Sequence, residues 1–172
     1  NKEDCEEYFG DDFIVFENCI KNLYPKETGS DMRDKVMMDN FSFVYSLNEG
    51  EKFFGQLGSE HIYQDYMDTD YMSSDEERFG ILINSKNSPV KNKVYSLLCV
   101  YQNIDSNNPS ENSFDYSLIK NYKEDIFIDL LQENSPFYKK KYFFKDKKNT
   151  GVTCDYIQGL MILINSNETT PL

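Results

Sequence analysis

Cys5, Cys19, Cys99 and Cys154 are the side chains of this 172-residue sequence whose chemistry is easiest to specify. The count is even, no pair forms a CxxC motif, and the single histidine is His61, so the spacing that holds zinc is missing. Paired thiols without a metal point to disulfides in an oxidising compartment, and secretion is the expected localisation. If residues 4–23 form one continuous helix, Cys5 and Cys19 stand roughly 21 Å apart, well beyond the ~7 Å that a disulfide spans. Joining them would demand a break at Gly10-Asp11-Asp12. The other two connectivities each tie the first half of the chain to the second, and each bridge would contribute a few kcal/mol.

Other chemistry-bearing stretches read as structural. His61 lies beside Ser59 and Glu60, but sequence neighbours on a helix do not form a catalytic triad, and no glycine elbow precedes a serine. In DYMDTDYMSSDEE (65–77), Asp68 and Asp70 fit the first and third positions of a calcium loop. Met72, Ser73 and Phe79 then fall where an oxygen ligand, a glycine and a glutamate belong, so the stretch reads as a solvated helix face. KKKYFFKDKK (139–148) interleaves bases with rings in the style of a nucleic-acid or membrane-surface segment. A net charge of −12 and the lack of a second basic patch argue instead for a helix whose Tyr142, Phe143 and Phe144 feed the core while its lysines dock onto acidic groups of the first half. Asn40-Phe41-Ser42 and Asn167-Glu168-Thr169 are acceptor sequons for N-glycosylation. No residue set is assigned to catalysis, to a cofactor or to a metal, and the chain is not expected to be an enzyme.

Charge is unevenly spread. Residues 1–86 carry 20 acidic and 8 basic side chains, whereas 87–172 carry 10 of each. Such a chain is repelled by phosphate backbones and anionic lipid, which makes nucleic acid a poor partner. No apolar run approaches the ~18 residues of a membrane span. The sequence starts at Asn1, so it is expected to begin downstream of a segment that has been removed.

The elements that must position these residues are suggested by a repeat. ILINS occurs at 81–85 and again at 162–166; Cys19 and Cys99 are similarly spaced; FVYSLNEGEKFF (43–54) aligns with FIDLLQENSPFY (127–138). Near-constant offset in the same order reads as internal duplication, with units 1–87 and 88–172. In the first, Cys5, Phe9, Phe13, Phe16, Ile20 and Leu23 recur at helical spacing. Val36, Met37, Phe41, Val44 and Leu47 do the same after a break at Pro25 and Gly29. The second unit reads as helices over 90–104, 113–134, 136–147 and 152–166. The β-branched ILIN core could be a short strand, but its flanks cap well and it is assigned to helix. The expected fold is all-α: two tandem, pseudo-repeated helical-bundle units linked by disulfides.

A duplicated, tyrosine-rich helical chain with Cys5, Tyr8 and Cys19, followed by Cys99, Tyr101 or a later tyrosine, and Cys154, resembles the bicycle family of aphid salivary effectors, named for paired Cys–Tyr–Cys patterns. The resemblance implies a secreted, non-enzymatic effector that binds a host plant protein, for example during gall formation. Two other readings stand beside it. One is a secreted helical carrier of an apolar small ligand. The other is a surface or exported protein of another parasite with an AT-rich genome, since Asn, Lys, Tyr and Ile crowd the sequence and Ala is absent. Neither the host target nor the oligomeric state follows from the sequence.

Overall fold

Gly10 interrupts the first apolar stripe. Its backbone turns to φ 53° and ψ −127°, a region that favours glycine, and separates helix α1 (Lys2–Phe9) from α2 (Phe13–Leu23) by a single 3₁₀ turn over Gly10–Asp12. Asn1 caps α1 by accepting from the Asp4 amide at 3.0 Å, and the Asp4 side chain reaches back to complete a capping box. The two helices then meet side by side. Phe9 stacks on Phe16 with ring centroids 4.3 Å apart, and Lys2 reaches Glu17 at 3.2 Å. A continuous helix over 4–23 is therefore not formed, and the ~21 Å separation it implied between Cys5 and Cys19 does not apply. Helix α3 (Ser30–Leu47) follows and is tied to α2 by Asn40, whose Oδ1 accepts from the side-chain amides of both Asn18 and Asn22.

These elements belong to a computed structural model that describes residues 1–23, 30–67, 75–102, 122–135, 137–141 and 151–164. The chain divides into two compact units, Asn1–Lys52 and Phe53–Leu172.

In the C-terminal unit the apolar runs are strands. β1 (Leu97–Gln102), β2 (Ile126–Asp129) and β3 (Gly159–Ile164) form a sheet in the order β1-β3-β2, with β1 parallel and β2 antiparallel to β3. Short helices α4 (Phe79–Ile83) and α5 (Thr153–Tyr156) and a 3₁₀ turn (Ser59–His61) complete it. The all-α expectation is thus wrong: the unit mixes helix with a three-stranded sheet. The segments 90–104 and 113–134 contain β1 and β2, and 152–166 contains α5 and β3. LLCVYQ, IFID and GLMILI are runs of four to six residues rich in branched side chains, the length and composition of buried strands. The landmarks of the proposed repeat also part company. Ile81–Ile83 lie in helix α4 and Ile162–Ile164 in strand β3; Cys19 is helical and Cys99 extended. The copies are not equivalent structural units.

Alternation along the strands selects one face for the core. Leu98, Val100, Ile128, Leu160 and Ile162 are buried with Tyr63, Met67, Leu130, Phe137, Tyr156 and Ile157 in one cluster. Gly80 in α4 seats this layer. A Cβ there would lie 2.3 Å from the Tyr63 carbonyl oxygen and 2.7 Å from the Ile62 carbonyl carbon. Glycine to alanine within a helix ordinarily stabilises by about 1 kcal/mol. Here the contacts are main chain and cannot rotate aside, so Gly80→Ala should instead destabilise by about 1–3 kcal/mol. Denaturant unfolding checks this, and a gain in stability would show that α4 does not pack against Ile62–Tyr63.

Candidate functional site

The face of the sheet opposite the core carries the other half of the alternation. Leu97 and Cys99 of β1, Met161 and Leu163 of β3 and Phe127 of β2 occupy positions of opposite parity to the buried residues. The register places Cys99 opposite Met161 and Met161 opposite Phe127, a row that crosses all three strands. Cys99 is exposed, and Phe127 leaves 52% of its surface in solvent. Leu131, just beyond β2, is 47% exposed. Phe127, Leu131 and Cys99 thus leave apolar surface open along a face whose other members, Leu97, Met161 and Leu163, are half-buried.

One end of this face is closed by Tyr95. Its ring lies over Gly159, where an added Cβ would fall 2.8 Å from the ring. Its hydroxyl is 3.0 Å from the Gln158 carbonyl oxygen and 3.2 Å from Asp129 Oδ1, donating to one or the other. Asp129 Oδ1 also accepts from the Leu131 amide at 3.0 Å. Burial of the hydroxyl end, and after it the adjacent Asp129 charge, pushes the Tyr95 phenol up to about 12.

Beside β2 lies a shallow open depression of about 280 Å³, lined by Tyr122, Phe127, Ile128, Asp129, Gln132, Asn134, Ser135 and Phe137. This depression opens to solvent, and Met67, one of the side chains that could have lined a cavity, is fully buried in the packed core.

The residues singled out by sequence are scattered. Cys5 lies in α1, Cys19 in α2, Cys99 in β1 and Cys154 in α5, and all four are free thiols, so the expected disulfides are not formed. Asn40 sits within α3 with its Oδ1 engaged by Asn18 and Asn22. Asn167 falls outside the described residues, as do Asp68, Asp70, Met72, Ser73 and, of 139–148, all but Lys139–Lys141. Lys139 stands 5.0 Å from the Tyr138 ring centre, and its ammonium is held above its ordinary range by Tyr138 and, more weakly, by Glu133. His61 is half-buried in the 3₁₀ turn. Among the described residues no cluster of three or more His, Cys, Asp or Glu side chains could hold a metal, and no helix is long and apolar enough to cross a membrane. Sequence reasoning missed Phe127, Tyr95 and Asp129. The run Ile126-Phe127-Ile128-Asp129 does not alternate apolar with polar residues, and Tyr95 lies outside it, so the sequence carried no signal that singles these three out.

Comparison with known proteins adds no relative: no protein-family model, no curated protein and no solved structure matches this chain.

Two outcomes follow from this geometry. Native protein should show all four thiols free, with Cys19 and Cys99 alkylated well before the half-buried Cys5 and Cys154. Mass spectrometry of the unreduced digest checks it, and any cystine-linked peptide would contradict it. The second concerns alkaline pH. An unfolded tyrosine ionises near 10, whereas the folded chain keeps Tyr95 neutral to about 12. The unfolded state therefore binds fewer protons between these values, and the stabilisation that Tyr95 supplies is complete below the lower value and lost as pH rises through the upper. Tyr95→Phe should flatten the alkaline fall in stability and remove one late phenolate from an ultraviolet titration, at a neutral-pH cost of about 1 kcal/mol for the lost hydrogen bond.

Proposed function

We propose that this chain is a binding protein without catalytic activity of its own, and that the open face of its sheet engages a partner protein. The observation that carries the reading is the row Cys99–Met161–Phe127, an apolar line across three strands whose outer members are solvent-exposed. Burial of such a row on association removes apolar surface from water at about 25 cal/mol per Å², and aromatic side chains such as Phe127 are enriched among the residues that dominate interface energy. Secretion and a host plant protein as the partner enter this proposal through the Cys–Tyr–Cys resemblance alone, whose helical duplication and disulfides the chain does not form.

A photo-crosslinker attached to Cys99, with Cys5, Cys19 and Cys154 replaced by serine, tests the proposal. Plant-tissue extract should yield a discrete adduct that disappears when Leu163→Lys places a charge on the same face. An adduct that survives Leu163→Lys, or that forms equally from a label at Cys19 instead, would place the contact elsewhere.

A further inference from the structure

Strand β2 lies at the edge of the sheet, and the parity of its hydrogen bonds can be read off. The Leu130 amide donates to the Gln158 carbonyl at 2.9 Å, at the same register sum that pairs Ile128 with Leu160 and Ile126 with Ile162. In an antiparallel ladder, narrowly paired residues alternate with residues whose main-chain groups turn the other way. Ile126, Ile128 and Leu130 therefore address β3. The N–H and C=O of Phe127 and Asp129 point outward from the sheet, and among the described residues no hydrogen bond takes them up. The same edge borders the depression walled by Tyr122, Phe127 and Phe137, where the side-chain amides of Gln132 and Asn134 are uncommitted among the described residues.

Charge selects among the occupants of such an edge. Residues 122–130, which carry the strand, hold Glu124, Asp125 and Asp129 against Lys123; Glu133, further on, is faced by Lys139, the first of three lysines after Phe137. A second copy of the chain, adding β2 to β2, would bring these carboxylates together, and like charges across a strand pair oppose pairing. An extended segment with basic side chains meets the opposite field. Asp129 Oδ1 accepts from the Leu131 amide and lies 3.2 Å from the Tyr95 hydroxyl, which leaves Oδ2 for a cation.

We propose that the β2 edge accepts an extended basic peptide as an added strand, its main chain bonding to Phe127 and Asp129, one large apolar side chain seated in the depression of about 280 Å³, and lysine or arginine at alternate positions facing the carboxylates. The inference rests on the binding reading above and names the partner segment it takes: main-chain pairing supplies the affinity, and the anchor and the charges supply the choice. Every second residue of the added strand faces the same side, so anchor and bases are two apart or fall on opposite faces.

The probe is a fluorescent peptide of about six residues alternating lysine with leucine, titrated against the whole chain by anisotropy. Three changes each should weaken binding about tenfold or more: N-methylation of alternate main-chain amides on the pairing side, replacement of the lysines by glutamate, and Asn134→Trp, which fills the depression from an exposed position. Asp129→Asn, which keeps the Oδ1 acceptor, should lower affinity only for the lysine peptide. If N-methylation has no effect while charge reversal abolishes binding, the peptide is held by unspecific attraction and the added strand is refuted. Self-association in sedimentation that Asp129→Asn enhances would assign the edge to a second copy and overturn the proposal as well. Failure here with an intact Leu163-sensitive adduct from Cys99 would leave the open-face reading standing; loss of the adduct with peptide binding preserved would do the reverse.

Discussion

Gln158 holds the C-terminal unit together at the point where β3 begins. Its Oε1 accepts from the Gln64 side-chain amide at 2.7 Å and from the Ser96 main-chain amide at 2.8 Å, and its own amide donates to the Ser96 carbonyl at 2.9 Å. Its carbonyl accepts from the Leu130 amide and lies 3.0 Å from the Tyr95 hydroxyl. One residue thus fixes the start of β1, the end of β2 and the segment that follows the 3₁₀ turn. It is only 7% exposed, so each of these polar groups would cost about 1–3 kcal/mol if left without a partner. The parallel register of β1 with β3 needs such a clamp. Residues 97–102 and 159–164 are remote in sequence, and the loop closure between them is compensated only once the central strand is held on both sides.

The one-sidedness of the sheet follows from that clamp. With β3 central, its even-numbered residues Leu160 and Ile162 meet the buried layer of Tyr63, Met67, Tyr156 and Ile157, and parity sends Met161 and Leu163 to the other side. Cys99 and Phe127 are carried there by register, and no independent preference of their own is needed. A slip of one residue in either pairing would exchange the two faces and bury Asp129, so the apolar composition of the open face is locked to the integrity of the core. The edge has its own safeguard. Three carboxylates in and beside a four-residue strand, Glu124, Asp125 and Asp129, are the kind of charge with which proteins discourage edge-to-edge pairing; in the proposed strand addition the same charges would favour a basic chain over an acidic one.

Much of the N-terminal unit was legible in the sequence. The stripe from Cys5 to Ile20 and the run from Val36 to Leu47 are helices, and Gly10-Asp11-Asp12 was the place where a break would fall. Helical periodicity over ten or more residues is a strong signal because the face it creates is wide. The strands were misread for the complementary reason. IFID and GLMILI are apolar runs shorter than two helical turns, and their pattern alone does not separate a buried strand from a buried helix. The two ILIN segments make the point most directly. The first follows Gly80, whose missing side chain lets a helical turn press against the Tyr63 carbonyl; the second, over Ile162–Ile164, continues β3, paired with β1 along these residues and with β2 at Ile162. Identical letters took different conformations because tertiary partners outweigh the intrinsic preferences of so few residues. The cysteines misled for a related reason: an even count without metal spacing was taken for bridges, while the fold holds the four as free thiols on separate elements.

The two units divide the physical work unequally. The hydrophobic cluster belongs wholly to Phe53–Leu172. Among the described side chains of Asn1–Lys52 only Asp34 is buried, while Ile14, Val15, Ile20, Val44 and Leu47 are exposed. Helices with so little burial draw their order from local terms: the Asn1 cap, the Phe9–Phe16 stack, the Lys2–Glu17–Lys21 ion pairs and the Asn18–Asn22–Asn40 bonds. The exposed ion pairs among these are each worth well under about 1 kcal/mol, and a body of roughly 50 residues is marginal by surface-to-volume scaling. This unit therefore sits at the low-stability end of the chain. It nevertheless carries 13 acidic against 6 basic side chains, a net charge of −7 that does not depend on tight packing. A field of that sign accelerates encounter with a cationic partner and fades with salt over a Debye length of about 8–10 Å. In the binding proposed above, steering and holding would come from different parts of the molecule: the charge-rich helices would raise the rate of encounter, and the clamped sheet, with its apolar face and acidic edge, would set the lifetime of what is bound.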